Sequence, residues 1–181
     1  MKVLGISSGK GSGAAIIEDG VVLAAASEER FTRVKNDASF PYKSLDYVLT
    51  ESNCQISDIE HIGVGCLHGV FPNYLPIVID DIFKYLENDS DAAINIRHKI
   101  VNSLKRDLEF KKIFLSEMKE LGFEENLVTF YEHHTSHIST AFEPSPFEEA
   151  IVVTLDGRGD LKSGTVSIAS RKNGIKLIDS N

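Results

Sequence analysis

An Asp-Gly pair lies between two short apolar runs near the start of the chain. Asp19 and Gly20 separate residues 14–18 from residues 21–26. This dipeptide between apolar runs is the strongest short-range signal for a β-hairpin, because its tight turn needs a positive φ at both positions. A further apolar run over residues 3–7 comes before them. The start of the chain therefore predicts three antiparallel strands.

The remainder of the chain alternates between helix-like and strand-like patterns. Polar residues 27–39 are predicted to form a loop. From residue 90 to residue 121 the apolar positions follow a helical period that changes phase near Phe110, which predicts two helices, the second ending at Gly122. This order of elements predicts a mixed α/β arrangement of layers. Further helices are expected after Pro41 and over residues 133–142, and further strands over residues 62–66, 127–131, 151–155, 164–169 and 175–178.

Composition limits the class of protein. Of the 181 residues 42 % are hydrophobic, which is enough for a packed core. The 27 acidic and 19 basic residues give a net charge of −8, which argues against a nucleic-acid partner. No apolar run approaches the roughly 20 residues of a membrane span, and no signal peptide is evident, so a cytoplasmic protein with no membrane partner is expected. Cys54 and Cys66 are not spaced as a CxxC clip.

Three of the six histidines fall within residues 132–137. If this segment is helical, His133 and His137 lie four residues apart and project from one face, as a two-histidine metal site requires. His134 lies about 100° round the helix and is expected to face the core or to support the ligands. The alternative is a polar helix start whose histidines bind neighbouring loops through hydrogen bonds.

A carboxylate follows the strand-like run that ends at Leu155. Asp156 opens the sequence Asp-Gly-Arg-Gly-Asp, and Gly157 would let a ligand approach the backbone closely. A carboxylate at a strand end could complete a mixed nitrogen and oxygen site suited to Fe, Zn or Mn. The alternative is a tight turn, because Asp and Gly are common in turns.

Two segments could contact an anion. The glycine-rich residues 9–13 lack the spacing of a P-loop, although their backbone N–H groups could face a phosphate. Arg33 and Lys35 follow the first three predicted strands and could hold an anionic ligand. The alternative for this charged run is a solvated loop.

Several segments, in this order, resemble the O-carbamoyltransferase family, which includes nodulation-factor, cephamycin and aminoglycoside carbamoylating enzymes. The resemblance covers nearly the whole chain, and four motifs in sequence make it specific. The segments that carry it are residues 3–6, 14–20, 27–33, 133–137, 141–142, 144–147 and 154–157.

The resemblance implies an α/β fold of the actin-like ATPase (ribonuclease H-like) type, with a mixed sheet flanked by helices. Two such subdomains close over a nucleotide. Residues 1–150 would form the first, with a helical insertion at about residues 72–121, and residues 151–181 would begin the second, which is truncated. We therefore expect the chain to be the N-terminal part of a longer protein.

The resemblance also implies a reaction. A C-terminal domain, absent here, makes carbamoyl adenylate from carbamoyl phosphate and ATP, and the present domain type transfers the carbamoyl group to a hydroxyl of a small-molecule acceptor. His133, His137 and Asp156 match the metal ligands of the family, and a further ligand would lie beyond Asn181. Fe²⁺ is the first expectation, with Zn²⁺ or Mn²⁺ as alternatives, and the metal would act as a Lewis acid and template.

Other positions match the family less completely. Lys35 matches a basic position that faces the carbamoyl adenylate or its phosphate, and Arg33 and Gly157 are expected beside that ligand. Where the family commonly has a His-Asp pair, this chain has Lys10 and Gly11. Lys10 is therefore the candidate catalytic base, and it could accept a proton only if its surroundings kept it uncharged.

Two functions are compatible with these features. In the first, the chain is the N-terminal part of an O-carbamoyltransferase and is inactive alone. In the second, it is a nucleotide-binding regulatory or chaperone-like module of the same fold, with structural histidines. A stand-alone metallohydrolase ranks last, because the chain has no HExxH glutamate as general base.

Overall fold

The computed structural model describes residues 1–66, 90–160 and 162–181. The described residues form two compact units, one of residues 1–66 and 126–181 and the other within residues 67–125. The part of the predicted insertion over residues 72–89 lies outside the described residues. The strands are β1 (Lys2–Ser7), β2 (Gly13–Glu18), β3 (Val21–Ser27), β4 (His61–Val64), β5 (Val128–Phe130), β6 (Glu149–Gly159), β7 (Lys162–Ser170) and β8 (Gly174–Ser180), and the helices are α1 (Glu29–Thr32), α2 (Tyr42–Glu51), α3 (Asp91–Glu120) and α4 (His133–Phe142).

The first sheet has five strands in the order β3-β2-β1-β4-β5. Antiparallel pairing joins β1 to β2 and β2 to β3, and parallel pairing joins β1 to β4 and β4 to β5. The predicted hairpin turn is confirmed, because Asp19 and Gly20 have φ values of 48° and 84°. This order and these directions are those of the ribonuclease H-like, actin-like fold, so the predicted fold class is confirmed.

Alternation along the strands gives the first sheet two different faces. Leu4, Ile6, Ile16, Ile62 and Val64 point to one side and are buried. Helix α2 packs against β2 and β3 with its own buried Leu and Val side chains. Each such side chain contributes roughly 1.5–3 kcal/mol on burial. Burial of these side chains therefore stabilises this face of the sheet.

The second sheet is antiparallel, in the order β6-β7-β8. Helix α4 lies on β6 and β7 through Ile138, Phe142 and Ala169. The interpretation of residues 156–160 as a tight turn is wrong, since β6 continues to Gly159 and only Asp160, with φ 46°, leaves the strand. The ladder stabilises this extension, because Gly159 pairs with Lys162 after an irregularity.

The predicted pair of helices over residues 90–121 is a single helix, α3, of 30 residues. Ser90 caps its first turn by accepting a hydrogen bond from the N–H of Ala93, and Gly122, with φ 92°, follows its end as expected. The change of apolar phase does not break the helix, because the segment contains neither glycine nor proline. Among the described residues no helix has both the length and the apolarity to cross a bilayer.

The segment predicted as a loop over residues 27–39 contains the one-turn helix α1 and is tied to the first sheet. The backbone carbonyl of Asp37 accepts hydrogen bonds from the N–H groups of Gly11 and Ser12, both at 3.0 Å. The Asp37 carboxylate accepts bonds from the Ser39 hydroxyl and the Thr32 hydroxyl, both at 2.6 Å, and from the Ser39 N–H. One residue thus holds the glycine-rich turn and the basic segment together.

These hydrogen bonds make stability depend on acid pH. Donation by Ser39 and Thr32 lowers the pKa of Asp37 from its ordinary 3.8 to about 2. A carboxyl with a lowered folded-state pKa stabilises the fold above its unfolded pKa, and loses that effect as pH falls through the folded value. In urea unfolding, the difference in the free energy of unfolding between wild type and Asp37→Asn should be largest above about pH 4. This difference should become small towards pH 2.

Two further variants check the cause. Ser39→Ala and Thr32→Ala each remove one donor to the Asp37 carboxylate. In each of these backgrounds, the loss of stability caused by Asp37→Asn should be smaller than it is in wild type. A gap of constant size from pH 5 to pH 2 would contradict this role for Asp37.

Candidate metal centre

Two carboxylates from different segments cap the start of α4. The Glu132 carboxylate accepts a hydrogen bond from the Thr135 N–H at 2.7 Å, and the Asp160 carboxylate accepts one from the His133 N–H at 2.7 Å. Lys162 Nζ lies 3.2 Å from Glu132. Burial alone would raise the pKa of Glu132, but donation by Thr135 and Lys162 outweighs it and the pKa is lowered. Both carboxylates also interact favourably with the positive, N-terminal end of the helix dipole.

Helix α4 presents three chemically different faces. Ile138 and Phe142 pack against the second sheet together with buried His134. A second face carries hydroxyl side chains and lines a cavity of about 1100 Å³ beside the first sheet. His133 and His137, one turn apart, form the third face. This division follows from the rotation of about 100° per residue along a helix.

The third face meets the end of β6. His133 Nε2 lies 2.7 Å from Asp156 Oδ2, and His137 Nε2 lies 2.9 Å from His133 Nε2. The remaining side of the triangle, from His137 Nε2 to Asp156 Oδ2, measures 3.6 Å. His133 is partly buried, while His137 and Asp156 are exposed. The three side chains therefore converge on one point that solvent can reach.

Hydrogen bonds alone satisfy this triangle poorly. A proton on His133 Nε2 cannot point at both neighbours, and a lone pair there would face the Asp156 carboxylate. A cation would accept a lone pair from all three atoms at once. With metal–ligand bonds of about 2.1 Å, donor atoms around one ion lie about 3–3.5 Å apart, which is close to the observed separations. Two imidazoles and a carboxylate are the donor set of non-haem iron and of zinc sites.

The groups around Asp156 favour its ionised form, which is the form that binds a metal ion. The His133 side chain, together with the Gly157 N–H at 2.6 Å, lowers the pKa of Asp156. The carboxylate is thereby kept ionised, as a metal ligand must be. Gly157 is exposed, and its N–H is already engaged by Asp156.

The sequence of this chain is similar to the sequences of known proteins. The family model described as Carbamoyltransferase N-terminus matches residues 2–181. The chain belongs to this family. The chain is 34 % identical over 164 residues to the uncharacterized protein sll1178 of Synechocystis. The matched segment covers 87 % of this chain and 26 % of that protein.

Two further relatives are similar to about the same extent. Nodulation protein NolNO of Sinorhizobium fredii is 31 % identical, with 87 % of this chain and 21 % of that protein covered. The uncharacterized protein MJ1051 of Methanocaldococcus jannaschii is 33 % identical, with 94 % and 25 % covered. The chain thus spans about a quarter of the length of these relatives. A solved structure, YeaZ from Pseudomonas aeruginosa, matches with a TM-score of 0.46 and 12 % identity over 99 % of this chain and 64 % of that one.

A buried network in this family member holds α4 on the second sheet. His134 is fully buried, as its position on α4 predicted. The Lys162 carbonyl only accepts, so His134 Nε2, 3.2 Å away, carries the proton. His134 Nδ1 then accepts from the Thr154 hydroxyl at 2.7 Å, and Thr154 accepts from the Thr165 hydroxyl at 2.7 Å. This tautomer follows from the network and satisfies every atom in it.

The other predicted site residues lie elsewhere in the family member. Lys10 is exposed in the turn between β1 and β2, and Arg33 and Lys35 are exposed after α1. Arg33 ends α1 with φ 62°. Their roles stay predictions.

The sequence interpretation missed three contributors to the metal centre. Asp160 and Glu132 were visible as acidic residues next to the motifs, but their caps depend on which helix they meet in space. Gly159 fits the turn that the sequence leaves as an alternative, whereas in the structure it is buried against the His133 ring. Spacing alone carries no signal for such contacts.

Proposed function

We propose that this chain is the metal-binding N-terminal part of an O-carbamoyltransferase, which transfers a carbamoyl group from carbamoyl adenylate to a hydroxyl of a small-molecule acceptor. Membership of the carbamoyltransferase N-terminus family supports the reaction class. The single observation that carries the proposal is the convergence of His133, His137 and Asp156. ATP and carbamoyl phosphate are proposed as substrates of the whole protein.

The cluster would hold one divalent cation through His133 Nε2, His137 Nε2 and Asp156 Oδ2. Fe²⁺ is the first proposal, because two imidazoles and one carboxylate with open positions suit it, and Zn²⁺ or Mn²⁺ are alternatives. When bound, the cation supplies a Lewis acid for the carbamoyl group or its phosphate. The exposure of His137 and Asp156 leaves that side of the cluster open to a substrate.

Basic residues would serve the anionic part of the donor. Lys35 and Arg33 are exposed, and we propose that they contact the phosphate of the carbamoyl adenylate. Gly157 has no side chain next to Asp156, so a ligand can approach the backbone there. Lys10 is proposed as the base that accepts the proton of the acceptor hydroxyl while that oxygen attacks the carbamoyl carbon and AMP leaves. Lys10 is exposed in this structure, so this role requires the acceptor or the rest of the protein to cover it.

Titration calorimetry tests the proposal against its alternative. The 181-residue chain, titrated anaerobically with Fe²⁺ and separately with Zn²⁺ and Mn²⁺, should bind one cation. A non-hydrolysable analogue of carbamoyl adenylate should then bind to the metal-loaded chain and not to the chain treated with a chelator.

The alternative function predicts a different pattern. ATP binding that is indifferent to the metal, with no binding of the carbamoyl adenylate analogue, would overturn the proposal and favour a nucleotide-binding regulatory or chaperone-like module. Failure to bind any of the three cations would also overturn it.

A further inference from the structure

The end of β6 contacts a single histidine at three points. Asp156 faces the His133 Nε2 atom, and the Asp160 carboxylate accepts a bond from the His133 backbone N–H. Between them, Gly159 packs against the His133 ring. The spacing of these contacts comes from the strand irregularity. Leu155 pairs with Gly164 and Gly159 pairs with Lys162, so residues 156–158 stand opposite one residue of β7.

The contact at Gly159 leaves no room for a side chain. A Cβ atom there would overlap His133 Cδ2 and would lie 2.6 Å from Cγ and 2.7 Å from Nε2. The φ of Gly159 lies outside the left-handed region, so the backbone would accept alanine without strain. The obstacle to a methyl group is therefore the imidazole ring, and this ring is 29 % exposed and able to turn away.

We propose that Gly159 is a positioning residue for the metal centre: its bare backbone sets the His133 ring so that Nε2 faces Asp156 and His137. This inference rests on the proposed function for its metal, but the steric contact exists without one. Contacts that orient a ligand typically change metal affinity by 10- to 100-fold when they are lost. Gly159→Ala should therefore weaken the metal site by moving the ring rather than by removing a ligand.

Gly5, in β1 of the first sheet, provides a matched control outside the metal centre. A Cβ atom at Gly5 would lie 3.8 Å from the Ala15 carbonyl oxygen, an ordinary contact, and its φ also lies outside the left-handed region. In competition with a chromogenic chelator for Zn²⁺, Gly159→Ala should bind about 10- to 100-fold more weakly than wild type, and Gly5→Ala should stay within about twofold. Equal affinities of Gly159→Ala and wild type would overturn the proposal.

A double-mutant cycle separates the positioning role from the metal. Gly159→Ala should lower the urea midpoint in the wild-type background, because the methyl group and the ring compete for one space. In the His133→Ala background the ring is gone, so the same change should leave the midpoint nearly unchanged. An equal loss in both backgrounds would overturn the steric contact.

The cycle is run without metal, so its result does not depend on the proposed function. If neither wild type nor Gly5→Ala binds metal while the cycle shows coupling, the proposed function fails and the contact stands. Long-range imidazole ¹⁵N spectra give a third readout. Gly159→Ala should shift the His133 Nε2 signal and leave the buried His134 signals in place, and unchanged His133 signals would count against the proposal.

Discussion

Replacing His133 with alanine is expected to reduce the metal content of the chain from one equivalent to background. His133 Nε2 is the central atom of the cluster, since it lies within 2.9 Å of both other donors. Its removal leaves His137 and Asp156, whose ligand atoms are 3.6 Å apart, as a two-donor site on an exposed surface. The affinity for the metal should fall by more than about 100-fold. Loss of a residue that only orients a metal ligand typically lowers the affinity by about 10- to 100-fold.

Elemental analysis after anaerobic loading with Fe²⁺ or Zn²⁺ and desalting measures this directly. His137→Ala should behave in the same way, because it removes the second imidazole. His98→Ala is the matched control, since His98 is exposed on α3 and is not in the cluster. Full metal content in either cluster variant, with unchanged helical circular dichroism, would remove the metal role of that histidine.

Replacing Glu28 with alanine is expected to cause a large loss in the free energy of unfolding. Glu28 is buried, and its carboxylate caps α2 from a distant segment. It accepts hydrogen bonds from the Lys43 N–H at 3.1 Å, from the Ser44 N–H at 2.7 Å and from the Ser44 hydroxyl at 2.8 Å. The residue at the cap position, Pro41, provides no side-chain bond of its own. Alanine would leave these buried donors unpaired and should cost about 3 kcal/mol.

Urea unfolding followed by circular dichroism at 222 nm measures the loss. Glu51→Ala, an exposed position at the other end of α2, is the control and should change stability by less than about 0.5 kcal/mol. Glu28→Gln keeps an acceptor oxygen, so its loss should lie between the two. Equal losses in Glu28→Ala and Glu51→Ala would show that the carboxylate does not cap the helix.

Much of the candidate site was predictable because its signals are local. The helix from His133 to Phe142 has its expected bounds, and its periodicity alone puts His133 and His137 on one face. The run of β-branched residues before Asp156 predicted a strand that ends near this carboxylate. The meeting of helix and strand was expected from resemblance rather than from spacing, because sequence patterns report the direction of a side chain and not its distance from another element.

Errors arose where tertiary contacts override local patterns. The phase change near Phe110 predicted two helices, but nothing in that segment interrupts backbone hydrogen bonding, so α3 is continuous. The glycines after Asp156 allowed a turn as the alternative, but residues 156–158 form an irregularity within β6, which resumes its pairing with β7 at Gly159. Cross-strand hydrogen bonds on either side of this irregularity keep the segment in the strand.

Local chemistry in this chain is sufficient for the hairpin at Asp19 and Gly20, the positions of the strands and the face of α4 that carries two imidazoles. Each depends on backbone preferences or on a period of a few residues, which a linear string records. The capping of α2 by Glu28, the anchoring of His133 by Asp160 and the close packing of Gly159 depend on residues 16 to 27 positions apart. Such contacts exist only after the sheets and helices have packed, because packing sets the distances between elements.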